Sequence, residues 1–242
     1  MNMLQEWIQG IDLVWIIQQG IVVICAVISL SFHEASHAFA AFRLGDDTAK
    51  RMGRLTLNPL QHLSWSGLLM LAIFHFGWAK PVPVDMRRFQ NPKTGMALTA
   101  AAGPISNVLL AFLSCLALQI FFAADEKNLL ALYAQDSVRF YIVYFLYILA
   151  ILNAGLAVFN LIPISPLDGS KVLAVFLPDK AYAWLMQYER YGMFILMALL
   201  FTGVLDAPLE LLRTGLLGAL SWLTHLPFPN SINILQQLFT NF

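Results

Sequence analysis

Two histidines and a glutamate lie close together in an apolar stretch of the chain. They are His33, Glu34 and His37, and together with Cys25 they are the only ionisable side chains of residues 13–42. A charged group at bilayer depth is costly, so ionisable residues in such a stretch usually mark a functional site. On a helix, histidines four positions apart share one face, at a spacing that suits joint ligation of one Zn²⁺. The pattern therefore predicts a zinc site in which Glu34 activates water. The alternative is that the histidines only hydrogen-bond neighbouring helices, which would leave a buried Glu34 in need of its own partner.

A zinc site needs a third protein ligand, because catalytic zinc takes three protein groups and leaves one position open. Asp168 is the best candidate, since it ends an uncharged run that begins near Phe140. Pro163, Pro166 and Gly169 interrupt the helix there, and irregular backbone at membrane depth is tolerated only inside protein or beside a wet cavity. The alternative role for Asp168 is to cap a helix that begins near residue 170. The remaining histidines, His62, His75 and His225, receive no role.

Composition places the chain among integral membrane proteins. Hydrophobic residues make up 59% of the sequence and charged residues 12%, with a mean hydropathy of +0.70. An ordinary soluble domain has about 25% charged residues. The formal net charge is zero and the basic residues occur in short clusters, which gives no sign of nucleic-acid binding. Cys25 and Cys115 lie in separate apolar runs, so we expect small core residues rather than a disulfide.

The apolar runs predict an all-α polytopic membrane protein with about five to six membrane segments. No internal repeat or long linker divides the chain, so we expect a single domain over residues 1–242. The predicted spans are 12–44, 94–124, 140–162, 191–205 and 208–226, the last of which could instead be an amphipathic surface helix.

Segment 66–79 is apolar but too short for a full span, which favours a re-entrant or interfacial segment. If it re-enters, 11 of the 14 basic residues share one side, and the positive-inside rule makes that side cytoplasmic. The two histidines and Asp168 then lie toward the cytoplasmic half of the membrane. If the segment crosses, the asymmetry largely disappears. The 11 residues are Arg43, Lys50, Arg51, Arg54, Lys80, Arg87, Arg88, Lys93, Lys171, Lys180 and Arg190.

Segments 53–58 and 80–85 are predicted to form small β-strands on the cytoplasmic side. Segment 80–85 alternates valine with proline, which confines it to a sheet edge or an extended conformation. A helical transmembrane substrate must unwind before cleavage, and an edge strand could capture the extended peptide by strand addition. A plain structural hairpin is the alternative.

Three motifs follow one another along the chain: His33-Glu34-x-x-His37, Gly103-Pro104-x-x-Asn107, and Asn160-x-x-Pro163 leading into Pro166-Leu167-Asp168-Gly169. In these motifs, over about residues 12–180, the chain resembles the site-2 protease family of intramembrane zinc metalloproteases. The resemblance implies one Zn²⁺ per chain, held by His33, His37 and Asp168, with Glu34 activating water. It also implies that Asn160 helps to position the substrate.

By the same resemblance, the substrate is a transmembrane protein or peptide, cut near the cytoplasmic face of a prokaryotic plasma membrane. The chain lacks a PDZ insertion and a CBS tail, so it looks like a minimal, multi-pass member. Asn107 could stabilise an oxyanion or hold a ligand, although an interhelical hydrogen bond is an equal alternative. Two other functions stay open. One is a proteolytically inactive relative that binds membrane proteins, and the other is a metal-ion transporter, which would usually show further ligands or repeated halves.

Overall fold

The computed structural model describes residues 13–62, 64, 67, 80–124, 137–228, 235 and 239. Regular secondary structure in these residues is helical throughout, as the composition predicts. The helices are α1 (Leu13–Arg43), α2 (Thr48–Arg51), α3 (Pro59–His62), α4 (Pro92–Ala124), α5 (Val138–Asn160), α6 (Asp168–Ala174), α7 (Asp179–Phe201) and α8 (Asp206–His225), with a 3₁₀ turn at Met86–Arg88.

Three of these helices, α1, α4 and α5, are long and apolar enough to cross a membrane. They have 31, 33 and 23 residues, so even the shortest extends for about 35 Å, against a hydrocarbon core of about 30 Å. The second half of α7, Gln187–Phe201, and α8 meet at an angle of 88° and add a fourth span if they act as one. The described residues therefore hold three or four candidate spans, and the expected total of five to six is not confirmed. Except for residue 67, the short segment 66–79 lies outside the described residues.

The predicted spans at 12–44, 94–124 and 140–162 agree with α1, α4 and α5 to within about two residues at each end. The span predicted at 191–205 is instead the second half of a longer helix that begins at Asp179. Polar residues such as Gln187, Glu189 and Arg190 lower the hydropathy of the helix before residue 191. They are nevertheless good helix formers, so the helix extends beyond its apolar part.

Helices α1, α4 and α5 pack against one another, and α8 packs on α4 and α5. Small residues such as Ala38, Ala111 and Ala154 are fully buried, which lets the helix backbones approach closely. Cys25 and Cys115 are also fully buried and form no disulfide, as predicted. The larger buried residues of α4, α5 and α8 complete this core: Leu118, Phe122, Val143, Leu217 and Leu220.

The predicted strands at 53–58 and 80–85 are wrong, since neither segment forms a strand. In the first segment, local side-chain bonds replace strand pairing: the Asn58 N–H donates to Thr56 Oγ1, and Asn58 Oδ1 accepts from the Leu60 N–H, both at 3.1 Å. Such bonds offer the backbone an alternative to a sheet. The second segment is free of helix, and three of its amides, those of Lys80, Val82 and Asp85, bind acceptors on other parts of the chain.

Candidate metal centre

The two histidines of α1 and an aspartate at the start of α6 meet in space. His33 Nε2 lies 3.2 Å from Asp168 Oδ2, and His37 Nε2 lies 3.3 Å from the same oxygen. The two imidazole nitrogens are 3.0 Å apart. These three atoms form a nearly equilateral triangle, and all three residues are at least nine-tenths buried. Among the described residues, this is the one group of three potential ligands.

Hydrogen bonds at the far side of each ring fix the tautomers of both histidines. His33 Nδ1 lies 2.6 Å from Asn107 Oδ1, and His37 Nδ1 lies 2.8 Å from the backbone carbonyl of Thr99. Because both partners are acceptors, each Nδ1 carries the hydrogen. In the neutral rings, each Nε2 therefore presents its lone pair to Asp168 Oδ2.

This arrangement fits a divalent metal and is hard to explain without one. Three electron-pair donors face one another, and Asp168 Oδ2 is a buried oxygen with no hydrogen-bond donor. Such a cluster would be repulsive in the absence of a cation. In a tetrahedral zinc site with bonds of about 2.0–2.1 Å, ligand atoms lie about 3.3–3.4 Å apart, close to the edges of this triangle. The outward N–H bonds to Asn107 and Thr99 are the supports that metal-binding histidines normally have.

Asp168 reaches the histidines because the chain turns sharply between α5 and α6. The turn closes through hydrogen bonds from the Ile164 N–H to the Ile162 carbonyl and from the Leu167 N–H to the Ile164 carbonyl. A side chain at Gly169 would collide with the backbone carbonyls of this turn, so only glycine lets α6 start here. Leu167, rather than Asp168, is the N-cap residue of α6. The alternative capping role of Asp168 is therefore not observed, and its side chain faces the histidines.

Gly103 brings α4 against the two imidazole rings. A Cβ atom at this position would lie 2.5 Å from atoms of both His33 and His37. Real Cβ atoms do not approach so closely, so any larger residue would displace the rings. The motif Gly103-Pro104-x-x-Asn107 thus contributes twice: its glycine gives the rings room, and its asparagine accepts from His33.

Glu34 lies beside the triangle and is held by a backbone amide. Its Oε2 accepts a hydrogen bond of 3.0 Å from the N–H of Val82. Its other oxygen has no hydrogen-bond partner in the described part of the chain. The carboxylate is only partly buried, so it faces the cleft with one oxygen fixed and one open.

The cleft beside these residues has a volume of about 360 Å³. Asn160 lines it and donates through Nδ2 to the carbonyl of Leu156, 2.9 Å away. Lys171 lines it too and makes no ion pair within the described residues. The cleft is lined by His33, Glu34, His37, Pro81, Val82, Val84, Met96, Thr99, Ala100, Asn160, Pro166, Asp168 and Lys171.

The segment 80–85, which we call the strap, lies along the cleft and is tied down at both ends. The Lys80 N–H donates to the His62 carbonyl, and the Asp85 N–H donates to Asp46 Oδ2, both at 2.7 Å. Asp46 is fully buried. Burial disfavours the Asp46 carboxylate, but hydrogen bonds from Thr48 and Asp85 and the charge of Arg88 outweigh this effect and lower its pKa. An ionised Asp46 thus anchors the strap next to α1.

Several residues of the site escaped the sequence analysis. Val82 and Thr99 take part through backbone atoms, which leave no trace in residue type. Asn153, which binds Asn107, could have been noticed as an amide inside an apolar span.

The remaining histidines take no part in the metal centre within the described residues. His62 Nε2 hydrogen-bonds to the Thr56 carbonyl rather than to a group of the triangle. His225 pairs with Gln119, and His75 lies outside the described residues.

A His-Glu-x-x-His motif on an apolar helix, next to a third potential ligand, is typical of a membrane metalloprotease, and the site therefore indicates this class of protein. The model of peptidase family M50 matches residues 21–203. The chain therefore belongs to family M50, the site-2 protease family, and the resemblance inferred from its motifs is confirmed.

Relatives from bacteria agree with this assignment. The chain is 37% identical over 180 residues to the Bacillus subtilis protein named "Putative zinc metalloprotease YwhC", covering 74% of this chain and 80% of that protein. It is 29% and 30% identical over 184 residues to the proteins named "Putative zinc metalloprotease Rip2" from Mycolicibacterium smegmatis and Mycobacterium tuberculosis, respectively. These alignments cover 74% of this chain and 66% of each Rip2 protein. No solved structure matches the chain with comparable significance.

Proposed function

We propose that this chain is a zinc-dependent intramembrane endopeptidase. In this proposal a single domain, residues 1–242, binds one Zn²⁺ through His33, His37 and Asp168, and Glu34 is the general base. Its substrate is a transmembrane protein or peptide. The observation that carries the proposal is the convergence of the three ligand atoms, within 3.0–3.3 Å of one another, beside the open carboxylate oxygen of Glu34.

Bound zinc would acidify a water molecule and polarise the scissile carbonyl. Glu34 then takes a proton from the attacking water and can pass it to the leaving amine. The Val82 N–H holds Oε2 of Glu34, so Oε1 is the oxygen left to receive the proton. Asn107 Oδ1 accepts the hydrogen bond from His33, which supports a role for Asn107 in holding His33 rather than in binding the oxyanion.

The position of the histidines supports cleavage near one face of the membrane. His37 lies six residues and His33 ten residues before Arg43, the end of α1. At 1.5 Å per residue, the imidazoles lie about 9 Å and 15 Å along the helix from its basic end. Arg43, Lys50 and Arg51 cluster at this end, which the positive-inside rule assigns to the cytoplasm. We infer a multi-pass protein of the prokaryotic plasma membrane.

The strap runs along the cleft in which an unwound substrate would lie. Pro81 and Pro83 have no N–H, and the amides of Lys80, Val82 and Asp85 are bound to the chain itself. The backbone N–H of Val84 has no acceptor in the described part of the chain, and Val84 lines the cleft. We infer that Val84 pairs with substrate through its backbone, and that Asn160, which also lines the cleft, contacts the substrate through its side chain.

Mapping of cleavage sites tests the proposal. Membrane proteins extracted from a bacterial host are reconstituted into liposomes together with either the wild-type protein or its Glu34→Gln variant, and new peptide termini are identified by mass spectrometry. We expect termini that depend on Glu34 and lie inside transmembrane segments, near their cytoplasmic ends. Termini only in soluble regions would contradict intramembrane cleavage.

The same experiment separates the two alternatives. An inactive relative that binds membrane proteins gives no new termini, although the protein still retains zinc. A metal-ion transporter moves Zn²⁺ across the liposome membrane, which a fluorescent indicator trapped inside detects. We expect termini and no transport.

A further inference from the structure

A ring of side-chain hydrogen bonds starts at the proposed ligand His33 on α1, passes through α4 and α5, and returns to α1. His33 Nδ1 bonds to Asn107 Oδ1 on α4 at 2.6 Å, and Asn107 Nδ2 bonds to Asn153 Oδ1 on α5 at 2.7 Å. Asn153 Nδ2 then bonds to Ser29 Oγ on α1 at 2.8 Å. Ser29 lies four residues before His33, so the two share one face of α1.

The direction of every bond in the ring follows from its last member. Ser29 Oγ donates to the carbonyl of Cys25 at 2.7 Å, because a carbonyl can only accept. Ser29 Oγ is therefore an acceptor toward α5, and only the NH₂ group of Asn153 can serve it. The second hydrogen of that NH₂ group goes to the Leu149 carbonyl at 2.8 Å.

The orientation of Asn153 then decides the orientation of Asn107. With its NH₂ group committed, Asn153 turns its oxygen toward α4, and this oxygen must receive the NH₂ group of Asn107. The oxygen of Asn107 is left to face His33, so His33 Nδ1 must carry the hydrogen. His33 Nε2 is thereby left with its lone pair, the form that ligates a metal.

Burial makes this ordering strict. Ser29, Asn107 and Asn153 are fully buried, and each of their donor atoms has at least one acceptor. An amide turned the wrong way would bury two unsatisfied groups, which is costly in an apolar interior. The ring is thus a satisfied polar network among α1, α4 and α5.

We propose that Asn153 is a positioning residue for the metal centre, which acts through Asn107 to hold His33 in its metal-binding tautomer and orientation. Ser29 is the residue that orients Asn153. The proposal rests on His33 being a zinc ligand, as stated under the proposed function. It assigns a role to two residues outside the cleft that do not touch the metal site.

Zinc affinity, measured by competition with a chromogenic chelator in detergent, tests this role without any substrate. Leucine has the same number of side-chain heavy atoms as asparagine, branched at the same carbon, so the variants are Asn153→Leu, Asn107→Leu and the two combined. Changes in the groups behind metal ligands commonly reduce metal affinity about 10–100-fold. We expect about tenfold weaker binding for Asn153→Leu, at least as much for Asn107→Leu, and no further loss in the double variant. Co²⁺ bound to either single variant should show the same altered visible absorption.

Matched controls distinguish positioning from packing. Gln119→Leu removes another buried amide of α4, whose partner is His225 rather than the ring, and should keep wild-type affinity. Ser29→Ala serves if Asn153→Leu fails to fold, with Ser114→Ala as its control, because Ser114 makes the same type of bond to the Leu110 carbonyl four residues before it. We expect Ser29→Ala to weaken zinc binding about two- to fivefold and Ser114→Ala to leave it unchanged.

Each outcome decides the question. Wild-type zinc affinity in Asn153→Leu, or losses that add in the double variant, would overturn the positioning role. Equal affinities of the Ser29 and Ser114 variants would do the same. If the wild-type protein binds no zinc at all, the proposed function fails instead, and this result is recognised before any variant is compared.

Discussion

The backbone N–H of Val82 lies 3.0 Å from Oε2 of Glu34 and joins the strap to the proposed general base. Two segments separated by 48 positions in the sequence are thus connected at the reacting centre. The bond fixes one carboxylate oxygen and leaves the other open. It also places the strap, the proposed substrate partner, within reach of the group that activates water.

Replacing Glu34 by glutamine should abolish hydrolysis while sparing the metal. The amide oxygen of glutamine can still accept the Val82 N–H, but the group cannot take a proton from water. General base catalysis commonly contributes about 10²–10⁴-fold, and we expect a loss of that order in the rate of peptide cleavage. Zinc content, measured by atomic absorption, should stay at the wild-type level. Cleavage at near-normal rates would refute the assignment of Glu34 as base.

The three proposed ligands should be required for zinc binding. The purified chain is expected to hold about one Zn²⁺, and His33→Ala, His37→Ala and Asp168→Ala should each lose most of it. The Lys171→Ala variant is a useful control, because Lys171 lines the same cleft without being a candidate ligand. Full zinc occupancy in the Asp168 variant would remove this residue from the ligand set.

A methyl group at Gly103 should disrupt the metal centre. In Gly103→Ala, the new Cβ atom would lie 2.5 Å from both imidazoles, so the rings or α4 must shift. We expect zinc affinity to fall at least about tenfold, as for other changes that misplace ligands.

Gly20→Ala is the control for Gly103→Ala. A Cβ atom at Gly20 on α1 meets nothing within 4 Å. This substitution should leave zinc binding unchanged and stabilise α1 by about 0.5–1 kcal/mol. Equal zinc affinities of the two variants would show that the approach of α4 does not constrain the rings.

Removing the free amide of the strap tests substrate pairing. Val84→Pro deletes an N–H that has no acceptor in the described part of the chain, whereas Val84→Ala keeps the N–H and shortens the side chain. Loss of one backbone hydrogen bond is worth about 1 kcal/mol, so we expect kcat/KM to fall about fivefold in Val84→Pro. The alanine variant should stay closer to the wild type, and zinc content should be normal in both. A larger defect in the alanine variant would point to a side-chain contact instead.

Asp46 should make the anchoring of the strap dependent on pH. Because its pKa is lowered in the folded protein, its contribution to stability is complete above the ordinary value of 3.8 and is lost as the pH falls through the folded value. The free energy of unfolding in detergent should therefore decrease below about pH 4 in the wild type.

Asp46→Asn isolates this contribution. The variant cannot ionise, and its NH₂ group replaces one of the two oxygens, so it must face the N–H of either Thr48 or Asp85, which bond to different oxygens of Asp46. We expect it to be less stable by about 1–3 kcal/mol at neutral pH, with the difference from the wild type shrinking as the pH falls below about 4. A constant difference across this range would exclude ionised Asp46 as the anchor.

The sequence was sufficient where the controlling interactions are local. His33 and His37 share a face because they lie four residues apart on a helix, and their apolar surroundings identify them at once. The bounds of the three long spans follow from continuous hydropathy. Asp168 could be selected because charges are rare in apolar runs, and each one must have a reason.

Tertiary structure decided what depends on close approach between distant segments. The strands failed as predictions because alternation in sequence cannot show whether a partner strand exists, and here the amides of the strap bind Asp46, Glu34 and His62 instead. The space that Gly103 gives to the imidazoles and the direction of the bonds through Asn107 and Asn153 are set by packing among α1, α4 and α5. Residue types supply the donors and acceptors, but only the folded chain determines which of them meet, since a buried polar group must be satisfied by whatever lies against it.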